Sequence, residues 1–183
     1  SELDSERLNY LFSRNSYELE LIVLELWKEM QESSFQPYDF ELGFGTEDGK
    51  MPAVPIPGKK MDAQLGGYVD RVDRWDCAGK DYIRVVDYKT GKKDFDYCDV
   101  FNGIGLQMLL YLYALEDGGE QLFGDTPIIA GVQYFPARVP YLPANGTMDE
   151  EAAEKERISH WKRRGLLLQD EAVLQAMELL SKG

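Results

Sequence analysis

Apolar residues near the amino terminus recur at helical spacing. Six of them share one face at the 3.6-residue period: Leu19, Ile22, Val23, Leu26, Trp27 and Met30. The pattern predicts a helix over about residues 1–36, which Pro37 ends because proline breaks the interior of a helix. Two further amphipathic helices are predicted over 149–164 and 170–181.

The middle of the chain is rich in β-branched and aromatic residues, which is typical of strands. The run FELGF at 40–44 favours an edge strand, and a helix is predicted over about 99–116. Three longer strands are predicted, over 61–75, 81–91 and 126–135. This order predicts an α/β (α+β) fold, with a mixed, mainly antiparallel sheet flanked by helices. We expect one domain over residues 1–183, with its core at about 37–136.

The charge balance is strongly acidic. The 183 residues include 33 acidic and 20 basic side chains, a net charge of −13, which argues against a simple stand-alone nucleic-acid binder. Residues 59–93 are the exception, since their charges sum to +3. Any nucleic acid should therefore meet one face of the protein only.

Several classes of site and location are disfavoured. One histidine, His160, and two cysteines, Cys77 and Cys98, exclude a histidine-rich site and a four-cysteine site, although a Cys77–Cys98 disulfide stays open. No stretch approaches the ~20 apolar residues of a membrane span, and the acidic amino terminus is no signal peptide. Because the chain lacks an initiator methionine, we expect a fragment of a longer protein.

The second long strand carries candidate chemistry at its end. Alternation places Asp87 and Lys89 on one face, next to each other. The simple interpretation is an exposed ion pair, worth about 0–1 kcal/mol. Asp70 on the preceding strand favours a metal site instead, because two carboxylates and a main-chain carbonyl form an oxygen site that suits Mg²⁺ or Mn²⁺. Asp73 lies an odd number of residues from Asp70, so we expect a structural role or one on the phosphate side for it, rather than metal binding.

The ordered motifs resemble a known family. They are G-x-x-D (67–70), D-Y-K (87–89) and Q-x-x-x-Y (107–111), which are similar to the nuclease motifs of the RecB-like branch of the PD-(D/E)XK superfamily. Flanking segments such as GGYVDRVDRW (66–75) and LQMLLYLYAL (106–115) resemble the C-terminal nuclease domain of AddB-type subunits of bacterial AddAB helicase–nucleases. The resemblance covers about residues 35–180 and implies a restriction-endonuclease-like fold.

The resemblance implies roles for individual residues. Asp70, Asp87 and the backbone carbonyl of Tyr88 would bind Mg²⁺ or Mn²⁺, and Lys89 would be the catalytic lysine. Gln107 and Tyr111 would complete the catalytic set as the helix motif that supports the site. The implied activity is metal-dependent DNA hydrolysis, as an exonuclease, in double-strand-break repair and recombination.

The resemblance also implies partners and a location. DNA and an AddA-type helicase–nuclease subunit would be the partners, in the bacterial cytoplasm. An iron–sulfur cluster is expected in the full-length protein, although its cysteines are absent here, as is the family's metal-binding histidine near the amino terminus. A chain that begins after the histidine helix and ends before the cysteine cluster would explain these absences, and the fragment alone could then be inactive.

Other polar residues have less specific interpretations. Arg71, Arg74, Lys92 and Lys93 are candidates for contacts with DNA phosphates, with a solvated surface as the equal alternative. We expect a structural role for Glu41, a surface or helix-packing role for His160, and a helix cap rather than a DNA patch at KRRG (162–165).

Two other functions stay open. A catalytically inactive module of the same fold would hold DNA or the partner subunit. A pair of carboxylates for glycoside cleavage is the least favoured, because it leaves Lys89 and Gln107 without a role.

Overall fold

One long helix precedes the sheet. The computed structural model describes residues 2–91, 96, 98, 102, 106–140 and 149–177. Helix α1 spans Glu2–Glu32 and strand β1 spans Gln36–Phe44. The predicted helix was thus four residues too long, because Pro37 lies inside an edge strand, where a missing N–H is tolerated.

Five strands form the central sheet, in the order β1–β4–β5–β6–β7. A separate hairpin, β2–β3, lies between β1 and β4 in the chain. The strand bounds are Val54–Ile56 for β2, Ala63–Leu65 for β3, Gly67–Cys77 for β4, Lys80–Lys89 for β5, Ile128–Pro136 for β6 and Arg164–Leu167 for β7. Only the β5–β6 pair is parallel. The fold prediction is therefore confirmed: the sheet is mixed, mainly antiparallel and flanked by helices.

Within the part of the chain that the structure describes, four helices with defined bounds follow β5. They are α2 (Gln107–Gly118), α3 (Glu120–Phe123), α4 (Glu150–His160) and α5 (Glu171–Met177). Helix α2 lies in the crossover between the two parallel strands, as parallel pairing requires. The predicted start of this helix at Asp99 and the end of the last helix at residue 181 fall outside the described residues.

Two strands lie where the sequence did not predict a strand. The predicted strand over 61–75 is divided between β3 and β4, and β2 lies between the predicted strands at 40–44 and 61–75. The prediction of a helix over 149–164 was wrong at its end, because α4 stops at His160 and β7 pairs with β6. Gly165 permits this pairing, since a Cβ there would lie 1.9 Å from the carbonyl oxygen of Val132.

Helix α1 joins the sheet through buried charge as well as apolar contact. Its predicted face is only partly covered, with Ile22 half-buried and Trp27 62% exposed. Glu29 lies 3.1 Å from Arg71 and Arg84 and 3.2 Å from Arg163. Burial alone would raise the pKa of Glu29, but the three guanidinium groups outweigh it and lower that pKa. This cluster fixes the end of α1 against the sheet.

Apolar cores cover both faces of the sheet. The larger core packs α2 against the sheet face that carries Ile83 and Val85. The smaller one joins Phe35 and Ala130 to α5. Because β4 and β5 are held between two packed layers, the polar residues at their ends have a fixed position.

Candidate active site

Asp70 and Asp87 lie side by side where β4 and β5 meet. The antiparallel register pairs Arg71 with Val86, which brings Asp70 next to Asp87 one position further along. Oδ2 of Asp70 accepts a hydrogen bond from the backbone N–H of Tyr88, with an N–O distance of 2.8 Å. The predicted meeting of these two carboxylates is therefore present in the structure.

Asp87 is a buried carboxylate whose ion pair with Lys89 does not fully offset the cost of burying its charge. Its side chain is 2% exposed, and Oδ2 lies 2.5 Å from Nζ of Lys89 as an ion pair. Within the described residues, this buried Oδ2 makes no hydrogen bond of good geometry. Burial raises the pKa of Asp87, Lys89 opposes that change, and the charge of Asp70 adds to it. A cation between the two carboxylates would relieve both the burial cost and the repulsion.

Lys89 bridges the carboxylates and helix α2. Its side chain is one-third exposed, so the ammonium faces solvent while it pairs with Asp87. Nζ also donates to Oε1 of Gln107 at 3.4 Å and lies 5.0 Å from the ring centroid of Tyr134. The ammonium is thus held by neighbours on three elements, yet a bound molecule can reach it.

Gln107 and Tyr111 form the next link on α2. They lie at i and i+4, so both side chains project from the same face of the helix. Nε2 of Gln107 donates a hydrogen bond to the hydroxyl of Tyr111. Burial raises the pKa of Tyr111 to about 12, so its hydroxyl stays neutral at working pH. The edge of its ring packs against Phe44, which anchors the chain Tyr111–Gln107–Lys89.

The donor set fits a hard divalent cation with a partly open coordination sphere. The described residues contain no cluster of three or more carboxylate, histidine or cysteine side chains. Two carboxylates with a main-chain carbonyl, water and substrate phosphate are the set that Mg²⁺ uses in many enzymes. Oδ2 of Asp87 is buried, makes no hydrogen bond of good geometry with the described residues and pairs with the Lys89 ammonium, so the carboxylate is a suitable ligand in such a set.

Arg71 was expected to contact DNA, but its side chain is buried. The structure leaves its side chain 1% exposed, between Asp73 at 2.9 Å and Glu29 at 3.1 Å. Nη1 of Arg71 also donates to the hydroxyl of Tyr88. A guanidinium committed to these buried partners cannot reach a phosphate at the surface. Asp73, fully buried and 2.6 Å from Arg84, has the structural role that was expected of it.

The other candidate DNA contacts have different outcomes. Arg74 lies on β4 with its side chain 39% exposed and bonds Asp81 at 2.5 Å. Lys92 and Lys93 lie outside the described residues. Glu41 is exposed with a φ of 50°, on the β1 segment that pairs with the strand of Asp70.

Sequence reasoning missed the residues on the far side of Lys89. Tyr134 on β6 lies beside it, and the parallel register pairs Tyr134 with Asp87. A cleft of about 260 Å³ continues from there and is lined by Arg138, His160, Lys162 and Arg164, among others. The basic segment KRRG (162–165) could have indicated these residues, but it was predicted to be the end of a helix. In the structure α4 has already ended at His160, and Arg164 begins β7.

The cysteines are not bonded to each other. Cys77 is half-buried at the end of β4 and Cys98 is exposed, and both carry free thiols. The described helices include none with both the length and the apolar character of a membrane span.

Comparison with known proteins gives a consistent result. A family model described as the PD-(D/E)XK nuclease superfamily matches residues 1–177. Similar proteins, each named as the B-type subunit of an ATP-dependent helicase/deoxyribonuclease, occur in Acetivibrio thermocellus (39% identity, 82% of this chain, 13% of the relative) and Clostridium novyi (35% identity, 98% of this chain, 16% of the relative). The chain thus spans about a sixth or less of these relatives. The resemblance seen in the motifs is confirmed, and the chain belongs to the PD-(D/E)XK nuclease superfamily.

Proposed function

We propose that this chain is the nuclease domain of a helicase–nuclease subunit and hydrolyses DNA phosphodiester bonds with Mg²⁺ or Mn²⁺. The observation that carries the proposal is the cluster of Asp70, Asp87 and Lys89 at the ends of two paired strands. A cluster of two carboxylates and one ammonium, open on the lysine side, suits an anionic substrate that brings further oxygen ligands.

Each residue has a distinct role in the proposed reaction. Asp70, Asp87 and the carbonyl oxygen of Tyr88 would hold the cation, which supplies Lewis-acid polarisation of the phosphate and neutralises its charge. The Lys89 ammonium donates a hydrogen bond to a non-bridging phosphate oxygen and stabilises the negative charge that develops there during attack. Gln107 positions that ammonium through its Oε1, and Tyr111 fixes the amide.

The wider role of the protein follows from its relatives. Since the similar proteins are named as helicase/deoxyribonuclease subunits, we propose DNA and an AddA-type subunit as partners, in the bacterial cytoplasm. Exonuclease activity in break repair and recombination, one nuclease domain over residues 1–183, and an iron–sulfur cluster elsewhere in the longer protein belong to the same proposal. Arg74, Lys92 and Lys93 stay candidates for phosphate contacts.

A second candidate is a module of the same fold without catalysis. It is favoured by the limited donor set, since the described residues offer two carboxylates and no third carboxylate, histidine or cysteine ligand beside them. Such a module would hold DNA or the partner subunit and would not need Lys89.

Cleavage of labelled DNA by the intact protein separates the two, with any natural partner subunit present in a form whose own nuclease is inactive. The nuclease requires Mg²⁺ or Mn²⁺ and loses cleavage in Asp70→Asn. Asp117→Asn is the matched control, because Asp117 is exposed at the end of α2, away from the site. DNA binding without metal-dependent cleavage in the wild-type protein would support the inactive module instead.

A further inference from the structure

A basic cleft lies beside the candidate active site. Lys89 and Tyr134 form its near wall, and Arg138 and the segment that joins α4 to β7 form the rest. Its basic side chains are Lys89, Arg138, His160, Lys162 and Arg164, with Glu156 as the one acidic residue of the lining. This excess of positive charge stands out in a chain whose net charge is −13. The cleft therefore suits an anion.

The walls of the cleft have a fixed architecture. The indole Nε1 of Trp161 donates to the backbone oxygen of Arg138 at 3.0 Å, which ties the end of β6 to the end of α4. Arg163, between the two exposed basic residues, is turned away and bonds Glu25 and Glu29. Lys162 and Arg164 are exposed on either side of this anchor. The fold thus presents both cations at the surface.

The cations of the cleft are available to a ligand. Among the residues that the structure describes, none forms an ion pair with Arg138, Lys162 or Arg164. Nε of Arg138 is buried and makes no hydrogen bond with the described residues. A bound anion with several acceptor oxygens would satisfy such donors.

The sheet register sets the distance between the cleft and the carboxylates. Asp87 pairs with Tyr134, and Tyr134 pairs with Arg164, so the three residues form one row across β5, β6 and β7. Neighbouring strands lie about 4.8 Å apart, which separates the first and last backbone positions by about 10 Å. Successive phosphates of one strand rise ~3.4 Å along the axis of B-form DNA and lie further apart than that along the strand itself, so the cleft lies within a few nucleotides of the carboxylates.

From this geometry we propose that the cleft binds a backbone phosphate of the same DNA strand, within a few nucleotides of the bond that is cut. Lys162 and Arg164 hold the phosphate oxygens, and Arg138 supports them from the opposite wall. The contact sets the position of the strand and carries no information on base sequence. This inference rests on the proposed nuclease function and adds a second phosphate site to it.

Neutral methylphosphonate linkages test the proposal. A single such linkage is moved along an oligonucleotide, and kcat/KM for cleavage by the intact protein is measured at each position. In the wild type, a neutral linkage at the cleft position lowers kcat/KM by roughly tenfold, which corresponds to the loss of one hydrogen bond to a charged group. In Lys162→Gln/Arg164→Gln the same linkage changes kcat/KM by less than about twofold, because the contact is already lost.

Controls separate this proposal from the proposed function. Lys80→Gln/Lys155→Gln removes two exposed charges outside the cleft. In this variant the neutral linkage should lower kcat/KM as much as it does in the wild type. Arg138→Gln is a second cleft variant and reduces the sensitivity on its own. If the cleft variants stay as sensitive to the neutral linkage as the wild type, the second phosphate site is wrong while the nuclease stands. If Asp70→Asn cuts at the wild-type rate, the proposed function fails whatever the linkage pattern.

Discussion

Oδ2 of Asp70 accepts a hydrogen bond from the backbone N–H of Tyr88 across two antiparallel strands, at 2.8 Å. The bond holds the Asp70 carboxylate beside Asp87 and beside the peptide group of Tyr88. This hydrogen bond therefore fixes the Asp70 carboxylate relative to the peptide group that precedes the third proposed ligand, the carbonyl of Tyr88. Because the contact involves the main chain, substitution of the Tyr88 side chain would leave it in place.

Asp70→Asn tests cation binding. The variant keeps an oxygen that can accept from Tyr88 but loses the negative charge. We expect Mn²⁺ affinity, measured by titration calorimetry in the intact protein, to fall by more than roughly 100-fold, since even outer-shell changes cost 10–100-fold. Asp117→Asn should bind as the wild type does. Equal Mn²⁺ affinity in Asp70→Asn would remove Asp70 from the ligand set.

Lys89→Gln tests the proposed role of the ammonium. We expect kcat to fall roughly 10²–10³-fold, as on loss of one donor that stabilises developing charge, with a small change in KM. Mn²⁺ affinity should be retained, because both carboxylates stay. Lys80→Gln, at the exposed start of the same strand, is the control. A variant that kept kcat and lost Mn²⁺ affinity would show that Lys89 only supports the carboxylates.

Tyr111→Phe and Gln107→Ala test the link between α2 and Lys89. The first variant removes only the hydroxyl that receives the Gln107 hydrogen bond, so kcat should fall by about three- to tenfold. Because the two residues act through the same contact, the double variant should be no worse than Gln107→Ala alone. Additive losses in kcat would mean that Tyr111 acts by a route separate from Gln107.

The alternation of residues in β5 was enough to predict which charged side chains meet at the ends of these strands. It placed Asp87 and Lys89 on one face, and the short turn to β4 placed Asp70 on a neighbouring strand. The burial of the Arg71 side chain was not predictable from alternation. Its burial depends on Glu29, 42 residues earlier on α1, and local pattern contains no information on such a contact.

The edge strand β7 was not predicted, for a similar reason. Residues 162–165 follow a helix and resemble its basic end, whereas β7 is stabilised by pairing with β6, about thirty residues earlier. The basic cleft depends on that pairing, so it could not be predicted without the fold.

Glu29→Gln tests the buried charge cluster. The variant leaves Arg71, Arg84 and Arg163 without one shared carboxylate, so we expect the free energy of unfolding at pH 7 to fall by about 3–5 kcal/mol. Glu32→Gln, exposed on the same helix, should change it little. Urea unfolding provides the measurement. An unfolding free energy equal to the wild type in Glu29→Gln would mean that α1 is held by its apolar contacts alone.

Acid unfolding gives an independent test of the same cluster. The folded-state pKa of Glu29 is lowered from 4.5, so its stabilisation is complete above that pH and is lost as the pH falls through the folded-state value. The wild type should therefore lose this part of its stability below pH 4.5, whereas Glu29→Gln lacks that loss. Parallel stability curves for the two proteins would contradict the assignment.

Single-turnover cleavage by Asp87→Asn, measured with its thermal unfolding, tests the central claim most directly. Asp87 is 2% exposed and its charge is costly in the fold, so a neutral amide should not lower the unfolding temperature. We predict a loss of DNA cleavage of roughly 10³-fold or more in a fully folded protein. Cleavage at the wild-type rate by the folded variant would show that Asp70, Asp87 and Lys89 are not the active site.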